Sequence, residues 1–271
     1  MRLPPEIESA GYRLLSLDST ESTNDDALRA AREGDPGPLW VIAVEQRAGR
    51  GRHGRPWASP PGNLYASLLL TDPCDAALAP QLGFVAGLAL HEAVETVTGA
   101  SAPRLALKWP NDLLFEEAKV SGLLLEGHRI GATLAVVIGF GVNVASAPSD
   151  TPYAATALHR SHPSVTRESV FSALSRCFAD VFEGWRSSQR AAAADPFASI
   201  RRRWLERAAG IGSEVTIRLP SGERRGIFEG LDRSGRLQLR TAAGLELIDA
   251  GDLYFPASNN ITAVPSAGTR S

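Results

Sequence analysis

The chain has 271 residues, of which 44% are hydrophobic and 21% charged, enough apolar side chains for a sizeable core and more length than one small module needs. A formal charge of −2 and a pI near 6.2 exclude a protein built mainly to coat nucleic acid. The most apolar run, residues 82–97, is interrupted by His91, Glu92 and Glu95, which excludes a membrane span.

Taken in chain order, residues 12–17 alternate as a short strand and lead into a loop dense in Ser, Thr and Asp. Ser22 or Thr23 then caps a helix over 25–33, closed by Gly34. Strands are expected at 39–45 and 63–70, joined by a glycine- and arginine-rich connection. A helix over 76–97 precedes a strand at 104–108 and three neighbouring strands at 113–115, 120–126 and 133–138. Their tight turns favour antiparallel pairing. Amphipathic helices follow at 164–187 and 196–208, the second carrying Arg201, Arg202 and Arg203.

The texture changes at Gly210–Ile–Gly212. Short strands at 214–218, 224–231, 236–240 and 245–249, separated by glycine turns, predict a small β-barrel. The polar stretch from 257 to 271 has little to bury and is expected to be disordered. This divides the chain into domains at 1–210 and 211–256, plus the tail. No internal repeat is visible.

Four elements carry chemistry. Gly49-Arg-Gly-Arg-His-Gly-Arg55 is followed by Pro56 and Trp57. Its glycines fit GxGxxG, but a dinucleotide fold requires a helix at the last glycine, and prolines follow instead. What remains is a loop whose amides, with Arg50, Arg52 and Arg55, can enclose a phosphate, beside an indole able to stack on a base; the alternative is a solvated basic turn. Lys108-Trp-Pro-Asn111-Asp112 and Lys119-Val-Ser-Gly122 contain the chain's two lysines, against 26 arginines. An ammonium beside Asn and Asp oxygens suits phosphate and magnesium, while a plain strand turn with a salt bridge remains open.

Ser22-Thr23-Asn24 combines a helix start with polar groups able to bind a ligand. In Val136–Asn143, Gly139 and Gly141 let a ligand approach the backbone and Asn143 can meet a base edge; a bulged core strand is the other reading. His91-Glu92 begins like a zinc helix, but position 95 is Glu, and His159 and His162 lack ligating partners. The Asn260–Thr262 sequon is idle in a cytosolic chain. Cys74 and Cys177 stand apart without ligand spacing and, with acidic residues where a secretory signal needs its apolar segment, place the chain in the cytoplasm.

In this order and at these distances, the four elements resemble the bacterial biotin protein ligases, over about residues 14–255. The resemblance implies an α+β fold, a mixed and largely antiparallel sheet backed by helices, related to class II aminoacyl-tRNA synthetases, with an SH3-like C-terminal barrel. It implies that biotin's carboxylate attacks the α-phosphate of ATP, and that a lysine of the biotin carboxyl carrier protein of acetyl-CoA carboxylase then takes the biotinyl group.

By the same resemblance, Ser22, Thr23, Asn24 and Gln46 hydrogen-bond the biotin ureido ring, and Gly49 belongs to the biotin-binding segment. Arg50, Gly51 and Arg52 contact biotin and adenylate, and Gly122 leaves room beside the ring. Lys119 sits at the carboxylate–phosphate junction and, with Arg52, carries catalysis. Arg55 and Lys108 belong to the nucleotide site, Trp57 covers adenine with Asn143 at its edge, and Asn111 and Asp112 help place Mg-ATP. No tightly bound prosthetic group is expected.

Only 21 residues precede Ser22, too few for the DNA-binding domain of some members, so a ligase without direct DNA binding is expected. Monomer or homodimer is left open. The competing readings are a lipoate–protein ligase of the same fold, a nucleic-acid-binding module and a non-catalytic ligand sensor.

Overall fold

A computed structural model describes residues 1–100, 104–191, 195–249 and 251–255. The expected disordered tail and the Asn260 sequon lie outside the described residues.

After a short helix α1 (Pro5–Ser9), the first sheet is built from β1 (Arg13–Thr20), β2 (Leu39–Gln46), β3 (Leu64–Thr71), β4 (Leu105–Lys108), β5 (Asp112–Phe115), β6 (Ala118–Ile130) and β7 (Thr133–Val142). Their order is β1-β2-β3-β7-β6-β5-β4, with β1 parallel to β2 and every other pair antiparallel. The helices are α2 (Thr23–Arg32), α3 (Gln81–Thr98), α4 (Arg167–Arg190) and α5 (Ala198–Leu205).

Strand alternation explains how the sheet serves two layers. Trp40, Ile42, Leu68, Leu70, Val136 and Ile138 join the main core with α3 and α4, where Trp40 meets Phe140, Phe171 and Phe178 at ring distances of 5.5–6.0 Å. Leu39, Val41, Leu69, Ala135 and Val137 point the other way, onto Ala27 and Leu28 of α2. Strands buried on both faces read as continuous apolar runs, as Leu39–Val44 does.

The second sheet comprises β8 (Glu214–Leu219), β9 (Gly222–Leu231), β10 (Leu237–Thr241), β11 (Gly244–Ile248) and β12 (Asp252–Tyr254), in the order β11-β10-β9-β8-β12. It is an open antiparallel sheet: β12 pairs with β8 at the edge away from β11, and no ladder joins β11 to β12 among the described residues. These are the short antiparallel strands expected of the SH3-like unit, and among the described residues they do not close into a continuous ladder. Val215, Ile217, Phe228 and Leu239 from this sheet merge with the main core. Leu107 of β4 also exchanges backbone hydrogen bonds with Arg207 and Ala209, in the segment between α5 and β8, both at 2.8 Å. No helix among the described residues is long and apolar enough to cross a membrane.

Several boundaries differ from expectation. β1 runs on to Thr20, because parallel pairing with β2 carries it through residues that resemble a loop. The helix expected from 76 begins at Gln81, after a separate turn of 3-10 helix at Ala76–Leu78. α4 starts at Arg167, set by a capping box between Thr166 and Ser169, and α5 is confined to Ala198–Leu205.

Candidate functional site

On the α2-facing side of the first sheet, the apolar rows give way to small and polar residues. Ser67 is opposite Gly139, and Gly139 is opposite Leu124. The next row crosses four strands: Lys108 faces Asp112, Asp112 faces Gly122, and Gly122 faces Gly141. Residues directly opposite each other share a face. Three sequence elements far apart in the chain therefore form one line, and where side chains are missing a cavity of about 130 Å³ opens.

The glycines shape it. A Cβ at Gly139 would lie 2.5 Å from Asn24 Oδ1, and one at Gly141 2.6 Å from the Trp57 indole. A Cβ at Gly122 would lie 3.2 Å from Lys119 Nζ and 3.3 Å from the Trp57 ring. The Trp57 Nε1–H is buried with no protein acceptor.

At one end of the cavity, Ser22, Thr23 and Asn24 open α2. The side-chain cap expected of Ser22 or Thr23 is not made. Gln46 caps the helix from β2 instead: its Oε1 accepts from Thr23 N at 2.9 Å and Thr23 Oγ1 at 3.0 Å. Ser67, buried in β3, donates within reach of both Thr23 and Asn24, and Asn24 Nδ2 donates to Glu126 at 2.6 Å.

Arg50 joins this cluster. It forms a bidentate pair with Asp25 at 2.6 and 2.7 Å and reaches Glu126 at 3.3 Å. The hydrogen bonds it donates to Asp25 raise its guanidinium pKa, reinforced by Glu126, and hold the Asp25 carboxyl below the usual range.

The arginine loop is a folded turn. Gly51 N donates to Arg55 O and Trp57 N to Gly49 O, both at 2.8 Å, and Gly54 takes φ +68°. Arg52 and Arg55 point towards Asp252 of β12. Burial pulls the Arg52 guanidinium below its ordinary value, against the raising influence of Asp252 and Asp112.

At the other end, Lys119 Nζ lies 2.7 Å from Asp112 Oδ1, an ion contact whose direction is not that of an aligned hydrogen bond. The ammonium also lies 5.5 Å from the Trp57 ring and 5.2 Å from that of Tyr153. Lys108 is half-buried, and the desolvation lowers its pKa; its Nζ is 5.6 Å from the Tyr254 ring. Asn111 Nδ2 donates to Leu123 O at 2.5 Å, leaving Oδ1 towards Arg52 at 3.4 Å. No group of three or more His, Cys, Asp or Glu among the described residues could hold a metal alone, so a magnesium ion would need ligands from the substrate.

Of the residues singled out from sequence, Ser22, Thr23, Asn24, Gln46, Arg50, Gly51, Arg52, Arg55, Trp57, Lys108, Asn111, Asp112, Lys119 and Gly122 all line this cavity. Gly49 and Asn143 do not line it. Gly49 lies behind the loop, where a Cβ would be 2.7 Å from Ser59 Oγ and from Trp57 O. Asn143 is buried, its Nδ2 donating to Thr156 O at 3.1 Å. It ties down the segment whose Ala154 O and Thr156 N bond the Lys119 backbone at 2.8 and 2.9 Å, and so supports Lys119 from behind.

Residues not anticipated are Asp25, Ser67, Glu126, Tyr153, Gly251 and Asp252. Each reaches the site through a long-range contact that no local spacing encodes.

Residues 16–143 match the model of the Biotin/lipoate A/B protein ligase family, and residues 210–255 match the Biotin protein ligase C terminal domain. A biotin–[acetyl-CoA-carboxylase] ligase from Paracoccus denitrificans is 42% identical over 247 residues, 88% of this chain and 99% of the relative. The chain belongs to the biotin protein ligases. A second relative, from Mycobacterium tuberculosis, is 34% identical across 90% of both chains. The Aquifex aeolicus biotin protein ligase, solved in complex with biotin and ATP, superposes with a TM-score of 0.74 at 28% identity, over 89% of this ligase and 97% of that chain.

Proposed function

We infer that this chain activates biotin with ATP as biotinyl-5′-AMP and passes the biotinyl group to a lysine of a carrier protein, that of acetyl-CoA carboxylase. The observation that carries the reading is that Lys119, Asp112, Arg52 and the polar cluster Ser22–Thr23–Asn24 all open into one cavity. Residues 1–210 act as the catalytic domain, with 211–256 as a smaller domain beside it.

The first step brings a carboxylate to a triphosphate, and their repulsion sets its difficulty. Cations already in place offset that repulsion and gain strength as charge builds on the α-phosphate. Lys119 supplies a compact ammonium at the junction and Arg52 a planar fork. The biotin carboxylate oxygen bonds to the α-phosphorus as the bond to pyrophosphate breaks. Asn111 Oδ1 and the Asp112 carboxylate offer oxygen ligands for magnesium arriving with ATP, and Lys108 adds charge for its phosphates.

Ser22, Thr23, Asn24 and Gln46 hold the ureido ring. Their polar groups are oriented by Ser67 and Glu126, so little ordering remains to be done on binding. Gly122 gives the rings room and Trp57 covers the adenine. In the second step the carrier amine attacks the acyl carbon, an amide forms, and AMP leaves with the bridging oxygen.

Transfer of labelled biotin to a biotin carboxyl carrier domain, dependent on both ATP and magnesium, is the test. Labelling of the carrier is expected; its absence with an intact carrier would refute the reading.

A further inference from the structure

Arg52 and Arg55 end on one carboxylate, and it belongs to the other sheet. Arg55 Nη2 lies 2.5 Å from Asp252 Oδ2, while Arg52 Nη1 is 3.5 Å from Asp252 Oδ1 and donates to Gly251 O at 3.1 Å. The Arg52 and Asp252 side chains are only 20% and 21% exposed, so this is not a freely solvated pair of the kind worth little.

The carboxylate is presented from a fixed position. Asp252 pairs with Arg218 in the β12–β8 ladder, and Leu253 beside it is buried. A Cβ at Gly251 would come within 2.7 Å of Ile217 and 3.0 Å of Arg218 O, so the backbone is pressed onto β8. Tyr254 has the Arg218 guanidinium 4.4 Å from its ring and Lys108 Nζ at 5.6 Å. The loop, by contrast, is written with glycines at 49, 51 and 54 and has no core side chain of its own. A glycine-rich segment therefore meets a strand-held one through the Asp252 carboxylate and the Gly251 carbonyl.

We propose that Asp252 is a positioning residue for adenylation: from β12 it latches the arginine loop over the cavity, with Arg55 as the anchor and Arg52 as the arm that exchanges Gly251 O for phosphate. This rests on the ligase reading above. The two ties differ as those roles require. The close Arg55 contact survives when a phosphate enters, whereas the longer Arg52 contacts are readily traded for a charge-assisted bond to an anion. The latch also holds two like-charged guanidinium groups side by side before any substrate arrives, so the loop closes without first overcoming their repulsion. Its consequence is retention: the C-terminal sheet keeps the adenylate enclosed until a carrier lysine takes it.

The test uses the full chain with Asp252→Asn, which keeps shape and removes charge, and Asp252→Glu, which restores charge. In ligand-free protein, hydrogen exchange at residues 49–57 is expected to quicken about tenfold in Asp252→Asn, as for losing a half-shielded ion pair. The first sheet should stay unchanged and Asp252→Glu should recover most of the protection. With biotin and Mg-ATP but no carrier, Asp252→Asn is expected to release adenylate about tenfold faster, with a smaller change in its rate of formation.

Loop exchange identical to wild type in Asp252→Asn would overturn the latch, as would acceleration spread evenly over both sheets. Normal adenylate retention despite a loosened loop would overturn its role in retention. A wild type that forms no biotin-dependent adenylate would instead refute the ligase reading, and the exchange measurement would still decide the latch.

Discussion

Lys119 Nζ stands 2.7 Å from Asp112 Oδ1, and both are five-sixths shielded from solvent at the edge of the cavity. The pair holds an ammonium where the proposed carboxylate and α-phosphate meet, on a strand whose backbone is fixed by residues 154–156. Lys119→Ala is expected to lower biotin-dependent pyrophosphate exchange by about 100- to 1000-fold, the usual cost of losing one preorganised donor at developing charge. Lys119→Arg is not expected to restore it, because a forked guanidinium cannot replace a compact ammonium against Asp112. Steady-state exchange assays on the two variants check this; wild-type rates in Lys119→Ala would remove the residue from the mechanism.

Gly139 and Gly141 separate the two halves of the site. A methyl at 139 meets Asn24 Oδ1 at 2.5 Å, so Gly139→Ala should raise the KM for biotin and spare that for ATP. A methyl at 141 meets Trp57 at 2.6 Å, so Gly141→Ala should do the reverse. Overpacking costs about 1–3 kcal/mol, which corresponds to roughly 5- to 150-fold in each KM. Equal effects on both substrates from either variant would contradict the division.

In the proposed mechanism Arg52 serves retention as well as chemistry, and in the structure it reaches both Asn111 and the Gly251 carbonyl. Arg52→Gly is expected to form adenylate slowly and release it early, labelling lysines on unrelated proteins in solution. Mass spectrometry of a bystander protein reads this directly. Tight retention with no bystander labelling would count against the assignment.

His91 gives a pH dependence unrelated to catalysis. It is buried in α3, its Nε2 is 3.2 Å from Leu105 O, and burial lowers its pKa from the ordinary value. The unfolded chain therefore binds the proton more readily than the folded one. Stability is fully present above pH of about 6.5, the unfolded value, and is lost as pH falls through the lower folded pKa. Denaturant midpoints measured down the acid range should fall less steeply for His91→Gln than for wild type. Parallel curves would exclude His91 as a source of acid sensitivity.

Much of the first sheet was legible because its strands announce themselves. Leu39–Val44 is an apolar run between a turn and a polar loop, and β3 and β7 read the same way. The motif residues were legible because their spacing is dense: fourteen of them face one cavity. Asn143 is outside the lining: in sequence, a glycine-flanked polar residue looks the same whether it meets a ligand or a buried carbonyl, and Thr156, which accepts its Nδ2 hydrogen bond, is 13 residues away. Asp252 was invisible for a stronger reason: its partners are 197 and 200 positions away, and Gly-Asp at a strand start is ordinary turn chemistry. The strands of the second sheet were legible from their glycine-separated spacing, but the pairing of the three-residue β12 with β8 was not, because it is a tertiary contact that short-strand spacing does not contain.

The central claim is that this cavity joins a biotin carboxylate to ATP. Exchange of labelled pyrophosphate into ATP, measured with biotin, with lipoate and with neither, tests it most directly. The account predicts exchange with biotin alone, lost in Lys119→Ala. Exchange supported equally by lipoate, or by neither acid, would contradict it.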